Sequence, residues 1–309
     1  LGAPIRMTCL VFSLIMLVIT TGMFFQYFGD VSWMNIAFND YEYQTTYSWI
    51  ESLGINWAVG LDALSFPMVW LTTFLLPVTI IATWNEKSGA TYFPLLLLMG
   101  GALIGVFVSL DLFMFYVFWE LTLIPMFFLI LKWGGKDRKY ASQKFFIYTF
   151  TASVVMLLGL ITLYFLQDPY SLPSAGTMTG RSFSIPELID SARASNVGDN
   201  WYLGEQMQKI LFVMLMIGFL VKLPAVPFHT WLPDAHVQAP TGGSMLLAGV
   251  MLKMGAYGMF RLPISLFPHA LYHFQLALMI IGMVSLVWGA IVCLGQTNLK
   301  KMVAYSSVS

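Results

Sequence analysis

The sequence is short of charge. Only 30 of its 309 residues are Lys, Arg, Asp or Glu, 15 of each sign, whereas about a quarter of an ordinary soluble domain is charged. Hydrophobic residues make up 58% of the chain, and its mean hydropathy is +0.76. This composition excludes a soluble globule, which needs more polar surface, and also a disordered chain. The balanced charge, with no basic patch, argues against a nucleic-acid partner.

Cofactor motifs are also missing. The two cysteines, Cys9 and Cys293, stand in apolar runs without metal-binding spacing and are predicted to be buried small hydrophobes. There is no Walker motif, no strand-linked Gly-x-Gly-x-x-Gly and no cysteine cluster. His269 and His273 are four residues apart but have no further ligands near them. We therefore expect no metal and no bound cofactor in this chain.

Long apolar runs are present instead. A helix needs about 20 apolar residues to cross a bilayer, and the chain supplies eight such runs and the start of a ninth near 300–309. The eight are 7–28, 63–85, 88–110, 112–131, 145–167, 210–233, 235–260 and 262–299. The sequence has no alternating pattern of a β-barrel. In lipid, the backbone N–H and C=O groups must form their hydrogen bonds within the protein, as they do in a helix. The sequence thus predicts an all-α, polytopic membrane protein with one transmembrane domain over 1–309.

The polar connections support eight spans. With Arg6 placed inside, the inner segments hold nine Lys and Arg residues and the outer segments four, while eleven of fifteen acidic residues fall outside. This bias follows the positive-inside rule. The outer segment 29–62 is predicted to be a hairpin or irregular cap. The outer segment 168–208 is predicted to be a cap with a short surface helix over 187–195.

Three charges lie near the middle of predicted spans: Glu120, Lys222 and Lys253. Each costs about 2.5–3.5 kcal/mol to insert there, so such residues commonly mark an ion path. A buried ion pair that merely fixes helix packing is the alternative. Burial disfavours the charged form of either group and a nearby opposite charge restores it. A lysine held protonated by a glutamate can therefore release a proton when that partner moves, which favours a proton path.

The neighbours of these charges predict local structure. Pro224 and Pro227 follow Lys222 and should break that span, and broken spans commonly bind ions or water in transporters. Pro125 is expected to bend the helix of Glu120 in the same way. A path of this kind has no visible energy source in the chain and needs a gradient or a partner.

The small residues around Lys253 predict its orientation. Gly242, Gly249 and Ala256 recur every seven residues and should lie on one helix face, where they admit a neighbouring helix. Lys253 shares that face by spacing, so it is predicted to point into the bundle and not at lipid.

Two histidines follow the broken span. His229 and His236 flank Pro233 and Asp234. Either a proton-relay role or an interfacial structural role fits them equally well. Asp234 is expected to be a cap or loop residue and not a carrier.

Several segments together resemble a known family. They are FWELTLIPMFFL around Glu120, KFFIYTFTAS at 144–153, the stretch VKLPAVPFHTWLPDAHVQAPTGGSMLLAGVMLKMGAYG at 221–258, and QTNLKKMVAYSSVS at 296–309. They are similar to the M-type antiporter-like membrane subunits of complex I, the NADH–quinone oxidoreductase chain M or NADH dehydrogenase subunit 4 family. The wider group includes Mrp-type antiporter subunits and hydrogenase membrane subunits.

The resemblance implies a fold of about fourteen helices built from two inverted five-helix repeats. This chain would be a fragment that lacks the first helix, ends at the start of the tenth, and holds the first repeat at about 92–261. In the family, a glutamate pairs with the lysine that precedes the prolines of the broken helix. The glutamate matches Glu120 and the lysine matches Lys222. The lysine of the next helix matches Lys253, and His229 and His236 match family histidines.

The resemblance also implies a function. We expect a proton-translocating subunit of a complex I-type enzyme, with NADH, FMN, iron–sulfur clusters and quinone in partner subunits and none in this chain. The expected location is a bacterial plasma membrane, with a mitochondrial inner or thylakoid membrane as alternatives. An Mrp-type Na⁺/H⁺ antiporter subunit, a hydrogenase-type membrane subunit and a structural scaffold remain as alternative functions.

Overall fold

A computed structural model describes residues 2–30, 41–86, 89–167, 181–195 and 203–309. Helices dominate this part of the chain, and a two-stranded antiparallel sheet joins them. The first elements are α1 (Gly2–Asp30), β1 (Glu42–Ile50), β2 (Ile55–Leu61), α2 (Ser65–Ala82), α3 (Gly89–Val108), α4 (Leu112–Leu121), α5 (Leu123–Trp133) and α6 (Arg138–Leu166). The others are α7 (Ile185–Ser195), α8 (Glu205–Lys222), α9 (Trp231–Gln238), α10 (Thr241–Leu246), α11 (Leu252–Met259), α12 (Pro268–Leu294) and α13 (Leu299–Val308).

The apolar runs form membrane-length helices as predicted. Among the described residues, seven helical segments are long and apolar enough to cross a bilayer. The other predicted span, 210–233, is covered by α8, a short 3₁₀ turn at Phe228–Thr230 and the start of α9. The expected ninth helix begins as α13. The chain is therefore a multi-pass membrane protein with an all-helical membrane part.

Proline interrupts the helices where the sequence predicts it. The α4 and α5 helices are separated at Thr122, three residues before Pro125, whose missing N–H leaves the carbonyl of Leu121 without its usual helical partner. Helix α8 ends at Lys222, directly before Pro224 and Pro227. Both interruptions place backbone ends inside the bundle, and they lie next to two of the three predicted charges.

The hairpin β1–β2 covers the end of the bundle where α3 and α4 meet. Its turn contains Gly54 in the left-handed conformation (φ 69°), and the amide of Leu110 donates to the carbonyl of Ala58 at 2.9 Å. Asp111 caps α4 and also accepts from the amide of Asn56 at 3.0 Å. Burial raises the pKa of this carboxyl. The predicted cap over 29–62 is thus a hairpin within the described residues 42–61.

Helix α7 lies at the same end as the hairpin. It covers the short helix predicted for 187–195, but it is not a simple surface helix, because Leu188 and Ile189 are buried. Ser184, just before it, pairs with Asp111 through an isolated bridge. Residues 168–180 and 196–202 of the predicted cap lie outside the described residues.

Lipid-facing helices surround a packed centre. Helix α1 packs mainly along α2 and α3, and α12 packs along α8 and α13. Most of α12 is exposed, as only Ala270, Ser285 and Gly289 of it are buried. The buried core is formed mainly by α2, α3, α4, α5, α6, α8, α9 and the α10–α11 segment. The charged residues predicted from the sequence are carried by three of these core elements.

Candidate functional site: a lysine at a broken helix

The ammonium of Lys222 is buried at the centre of the bundle, with 2% of the residue exposed. Its Nζ donates to the Thr122 hydroxyl at 3.3 Å and lies 5.3 Å from the centroid of the Trp119 ring. The position at the last residue of α8 suits a cation, because the helix dipole is negative there. The break in α8 and the break at Thr122 therefore meet at this lysine.

The side chains of Trp119 and Thr122 contact Lys222, and Glu120 stands between these two residues in the chain. Its Oε1 is buried without a hydrogen-bond partner. Glu120 and Lys222 are not within the 4.0 Å of a direct ion pair, yet their charges interact through space. The structure thus brings together two of the three predicted residues, without a direct ion pair between them and with Oε1 of Glu120 left unpartnered.

The prediction that Lys253 points into the bundle is wrong for the described part of the chain. Its side chain is exposed, and its Nζ donates to the carbonyls of Gly249 at 2.9 Å and Ala248 at 3.3 Å. A π turn at Leu247–Met251 lies just before Lys253. A π turn bonds i to i+5 and takes up an extra residue, so residues on its two sides no longer share the face that an α-helical spacing predicts.

The prediction that small residues in this segment admit a neighbouring helix is confirmed for Gly242 and Gly249. A Cβ on Gly249 would lie 2.5 Å from the Leu75 side chain of α2, and one on Gly242 would lie 2.6 Å from the Tyr92 hydroxyl. Within the segment 241–264, the tightest approach to backbone is at Gly255, for which the sequence carries no signal. A Cβ there would lie 2.8 Å from the amide nitrogen of Leu223. Helix α11 therefore presses directly against the break that follows Lys222.

The two histidines lie beyond this break. His229 is in the 3₁₀ turn before α9 and His236 is near the end of α9. Both are buried, and the Nδ1 atom of each has no hydrogen-bond partner. An imidazole with an unused nitrogen can accept or pass a proton, so their relay role remains a prediction that the geometry permits.

Asp234 is not the cap or loop residue expected from the sequence. It lies in α9 and forms an ion pair with Lys144 of α6, with Nζ 2.7 Å from Oδ2. Nearby is a cavity of about 240 Å³. Its lining includes Asp137, Tyr140, Ala141, Asp234, Val237, Gln238 and Lys301. The partners are 90 residues apart in the chain, so spacing gave no signal for them.

A second ion pair is fully buried and was also missed. Arg261 donates from Nη2 to Oδ1 of Asp62 at 2.6 Å, and the two residues are 3% and 0% exposed. Its Nε donates to the Tyr257 hydroxyl at 3.1 Å and its Nη1 to the Tyr41 hydroxyl at 3.1 Å. Burial raises the pKa of Tyr41 to about 12. In the sequence, Arg261 and Asp62 both stand in polar connections between predicted spans, with no pattern that pairs them.

These features define a class. A bundle of membrane-length helices with a discontinuous helix and buried charges at its centre is the architecture of ion-conducting membrane proteins. The family model described as "NADH:quinone oxidoreductase/Mrp antiporter, TM" matches residues 109–309. The chain belongs to that family.

Curated relatives carry the M-type names that the motifs predict. The chain is 44% identical over 273 residues to the F(420)H(2) dehydrogenase subunit M of Methanosarcina mazei, covering 87% of this chain and 52% of that protein. It is 43% identical over 263 residues to the NADH-quinone oxidoreductase subunit M of Rhodobacter capsulatus, covering 85% of this chain and 49% of that protein. The chain thus spans about half the length of these relatives, and its resemblance to M-type subunits is confirmed.

A solved structure confirms the fold. The chain superposes on a chain of respiratory complex I from Thermus thermophilus with a TM-score of 0.78. The two are 24% identical, and the match covers all of this chain and 62% of the other. The antiporter-like fold predicted from the sequence is therefore present.

Proposed function

We propose that this chain is part of a proton-translocating membrane subunit of a complex I-type NADH:quinone oxidoreductase. The observation that carries the proposal is the buried ammonium of Lys222, which lies at a broken helix beside the unpartnered Oε1 of Glu120. Isolated ionisable groups in the membrane are costly and are commonly retained for transport. The M-type relatives support the assignment to this kind of enzyme.

The local geometry suits a switchable proton carrier. Lys222 has one hydroxyl partner and one aromatic partner, so at least one of its three N–H donors remains available to water or to Glu120. A shift of α8 relative to α4 changes the separation of the two charges and hence the protonation that each prefers. Since the groups interact, their titrations are coupled and belong to the pair.

We propose the rest of the proton path from the positions of the other polar residues. Protons reach Lys222 from the cavity beside Asp234, with His229 and His236 as relays between them. Lys253 continues the path on the exposed face of the α10–α11 segment. That face would be covered by the part of the longer relatives that this chain does not span.

The partners follow from the same proposal. NADH, FMN, iron–sulfur clusters and quinone belong to other subunits, and this chain contributes the ion path without a redox centre. The membrane is proposed to be a bacterial plasma membrane. Co-purification tests this directly, since the full-length protein should bring flavin- and iron–sulfur-containing subunits with it. Isolation with only cation-transport subunits would contradict the proposal.

An Mrp-type Na⁺/H⁺ antiporter subunit is the second candidate, because the matching family includes both kinds of protein. The two differ in ion dependence. For a complex I-type pump, proton movement driven by electron transfer should not depend on sodium. Proton flux that requires an opposing sodium gradient would favour the antiporter.

Lys222→Ala tests the proposed site in the full-length protein within its complex. We expect proton pumping coupled to electron transfer to fall sharply, because no other described side chain supplies a buried ammonium at the α8 break. Lys139→Ala is the matched control, since Lys139 is exposed in the first turns of α6. Pumping by Lys222→Ala at the level of Lys139→Ala would show that the site assignment is wrong.

A further inference from the structure

The break at the end of α8 displaces backbone groups that a continuous helix would pair. In an α-helix each N–H donates to the carbonyl four residues back. Pro224 has no N–H, and the next amide, that of Ala225, donates one residue further back than usual, to the carbonyl of Leu220 at 3.0 Å. The carbonyl of Val221, which Ala225 would serve in a regular helix, therefore needs another donor.

Two side chains replace the missing helical partners. Nε1 of Trp231, in α9, donates to the carbonyl of Val221 at 2.8 Å. The amide of Val226 would donate to the carbonyl of Lys222 in a continuous helix, but it donates instead to Oγ of Ser285 in α12 at 2.9 Å. Trp231 belongs to the second half of the broken span, whereas Ser285 belongs to a different helix. The backbone that follows α8 is thus tied to α12.

Ser285 is the buried polar residue of α12. It is 6% exposed, and Ala270 and Gly289 are the other buried residues of this helix. Its hydroxyl therefore points from an otherwise exposed helix into the core, at the level of the break. Further along α12, Cys293 donates to the carbonyl of Met302 in α13 at 3.2 Å. Helix α12 thus links the α8 break to α13.

The bond to Ser285 bears directly on Lys222. If the Val226 amide donated to the Lys222 carbonyl, α8 would continue past the lysine. The negative end of a helix dipole acts within the last turn, so the support that α8 gives to the buried ammonium depends on the helix ending at Lys222. Ser285 holds the Val226 amide away from that carbonyl and keeps the end of α8 at the lysine.

We propose that Ser285 is a positioning residue for Lys222, through which α12 sets where α8 ends. The proposal rests on the function proposed above and names the helix that changes the surroundings of the lysine. When α12 moves away from α8, the Val226 amide loses its acceptor and the Lys222 carbonyl competes for it. A cavity of about 340 Å³, lined in part by Leu223, Gly282 and Ser285, leaves room for this movement.

The test compares Ser285→Ala with Ser285→Thr in the full-length protein within its complex. Alanine removes the acceptor without adding volume, whereas threonine keeps the hydroxyl and adds one methyl group beside the cavity. Thr8→Ala is the control, because the Thr8 hydroxyl is exposed and donates to the carbonyl of Pro4 in its own helix at 2.9 Å.

The first measurement is hydrogen–deuterium exchange by mass spectrometry, without an electron donor, over residues 223–228. Four of these residues carry an amide hydrogen, since the other two are prolines. We expect Ser285→Ala to speed exchange in this segment several-fold, because the Val226 amide loses its partner. Ser285→Thr and Thr8→Ala should exchange like wild type.

The second measurement is the number of protons pumped per electron transferred by the reconstituted complex. This ratio counts working complexes alone, so a loss of stability does not by itself lower it. We expect a several-fold drop for Ser285→Ala, and the wild-type ratio for Ser285→Thr and Thr8→Ala.

Unchanged exchange in Ser285→Ala would overturn the proposal, because the hydroxyl then does not hold the break. Faster exchange with a wild-type pumping ratio would also overturn it, because Ser285 would then be structural alone, and so would a Ser285→Thr variant that behaves like Ser285→Ala. If Ser285→Ala does not assemble, Ser285→Cys replaces it, since a thiol is a weak acceptor. Its exchange and its ratio should shift in the same directions, and a wild-type value in either would count against the proposal.

The two measurements also separate Ser285 from the proposed function. Exchange needs no electron transfer, so it decides whether Ser285 holds the break even if Lys222→Ala pumps normally and the proposed function fails. Normal pumping by Ser285→Ala beside a strong defect in Lys222→Ala would overturn the role of Ser285 and leave the proposed function standing.

Discussion

At the scale of single residues, the account depends on how Lys222 is held. Its ammonium has one hydroxyl partner, Thr122, and that hydroxyl also donates to the carbonyl of Trp119 at 2.8 Å. Thr122 lies in the gap between α4 and α5 that Pro125 produces. A proline outside the site thus positions the residue that orients the buried lysine.

Thr122→Val tests this contact. Valine keeps the shape of threonine but leaves the ammonium without its hydroxyl, so we expect a loss of about 1–3 kcal/mol in the free energy of unfolding. We also expect slower proton pumping by the assembled complex. Thr122→Ser, which keeps the hydroxyl, should lie much closer to wild type in thermal unfolding and in pumping. If the two variants behave alike, the hydroxyl does not orient Lys222.

At the scale of elements, the sequence predicts the helices well and their irregularities less well. The positions of charged residues locate the spans, because a charge inside the bilayer is costly. The prolines predict the two helix breaks. The π turn before Lys253 could not be predicted. It differs from an α-helix in its backbone hydrogen bonds, and no pattern of residue types marks it. The Arg261–Asp62 pair joins residues 199 apart, and only the assembled fold brings them together.

The contact of α11 with the α8 break gives a prediction for Gly255. Gly255→Ala would place a methyl group 2.8 Å from the backbone of Leu223, so the helices must separate. Overpacking of this kind typically costs about 1–3 kcal/mol, measurable by thermal unfolding of the full-length protein in detergent. Gly282→Ala in α12 is the control, since nothing lies within 4 Å of its added Cβ. Equal midpoints would show that α11 does not press on the break.

The pair of Lys144 and Asp234 gives a second prediction at this scale, because it ties α6 to α9. The side chains are 19% and 35% exposed, so solvent screens the pair in part. A double-mutant cycle with Lys144→Gln and Asp234→Asn should give a coupling energy of up to about 1 kcal/mol. A coupling energy of zero would mean that the ion pair does not stabilise the packing of α9.

At the scale of the whole molecule, the length of the chain bears on the proposed proton path. It spans about half of its curated relatives, and Lys253 lies on an exposed face. The inverted five-helix repeat at about 92–261 stays a prediction. The relatives are named for different electron donors, one for F(420)H(2) and another for NADH.

If the charges of Glu120 and Lys222 carry protons, the pumping ratio of the complex depends on Glu120. This is the number of protons pumped per electron transferred by the complex reconstituted in liposomes with Glu120→Gln in the full-length protein. Glu51→Gln, in the exposed turn of the hairpin, is the matched control. The account predicts a ratio well below wild type for Glu120→Gln in a complex that still assembles, with no change for Glu51→Gln. A wild-type ratio for both would contradict it and would leave this chain as a scaffold.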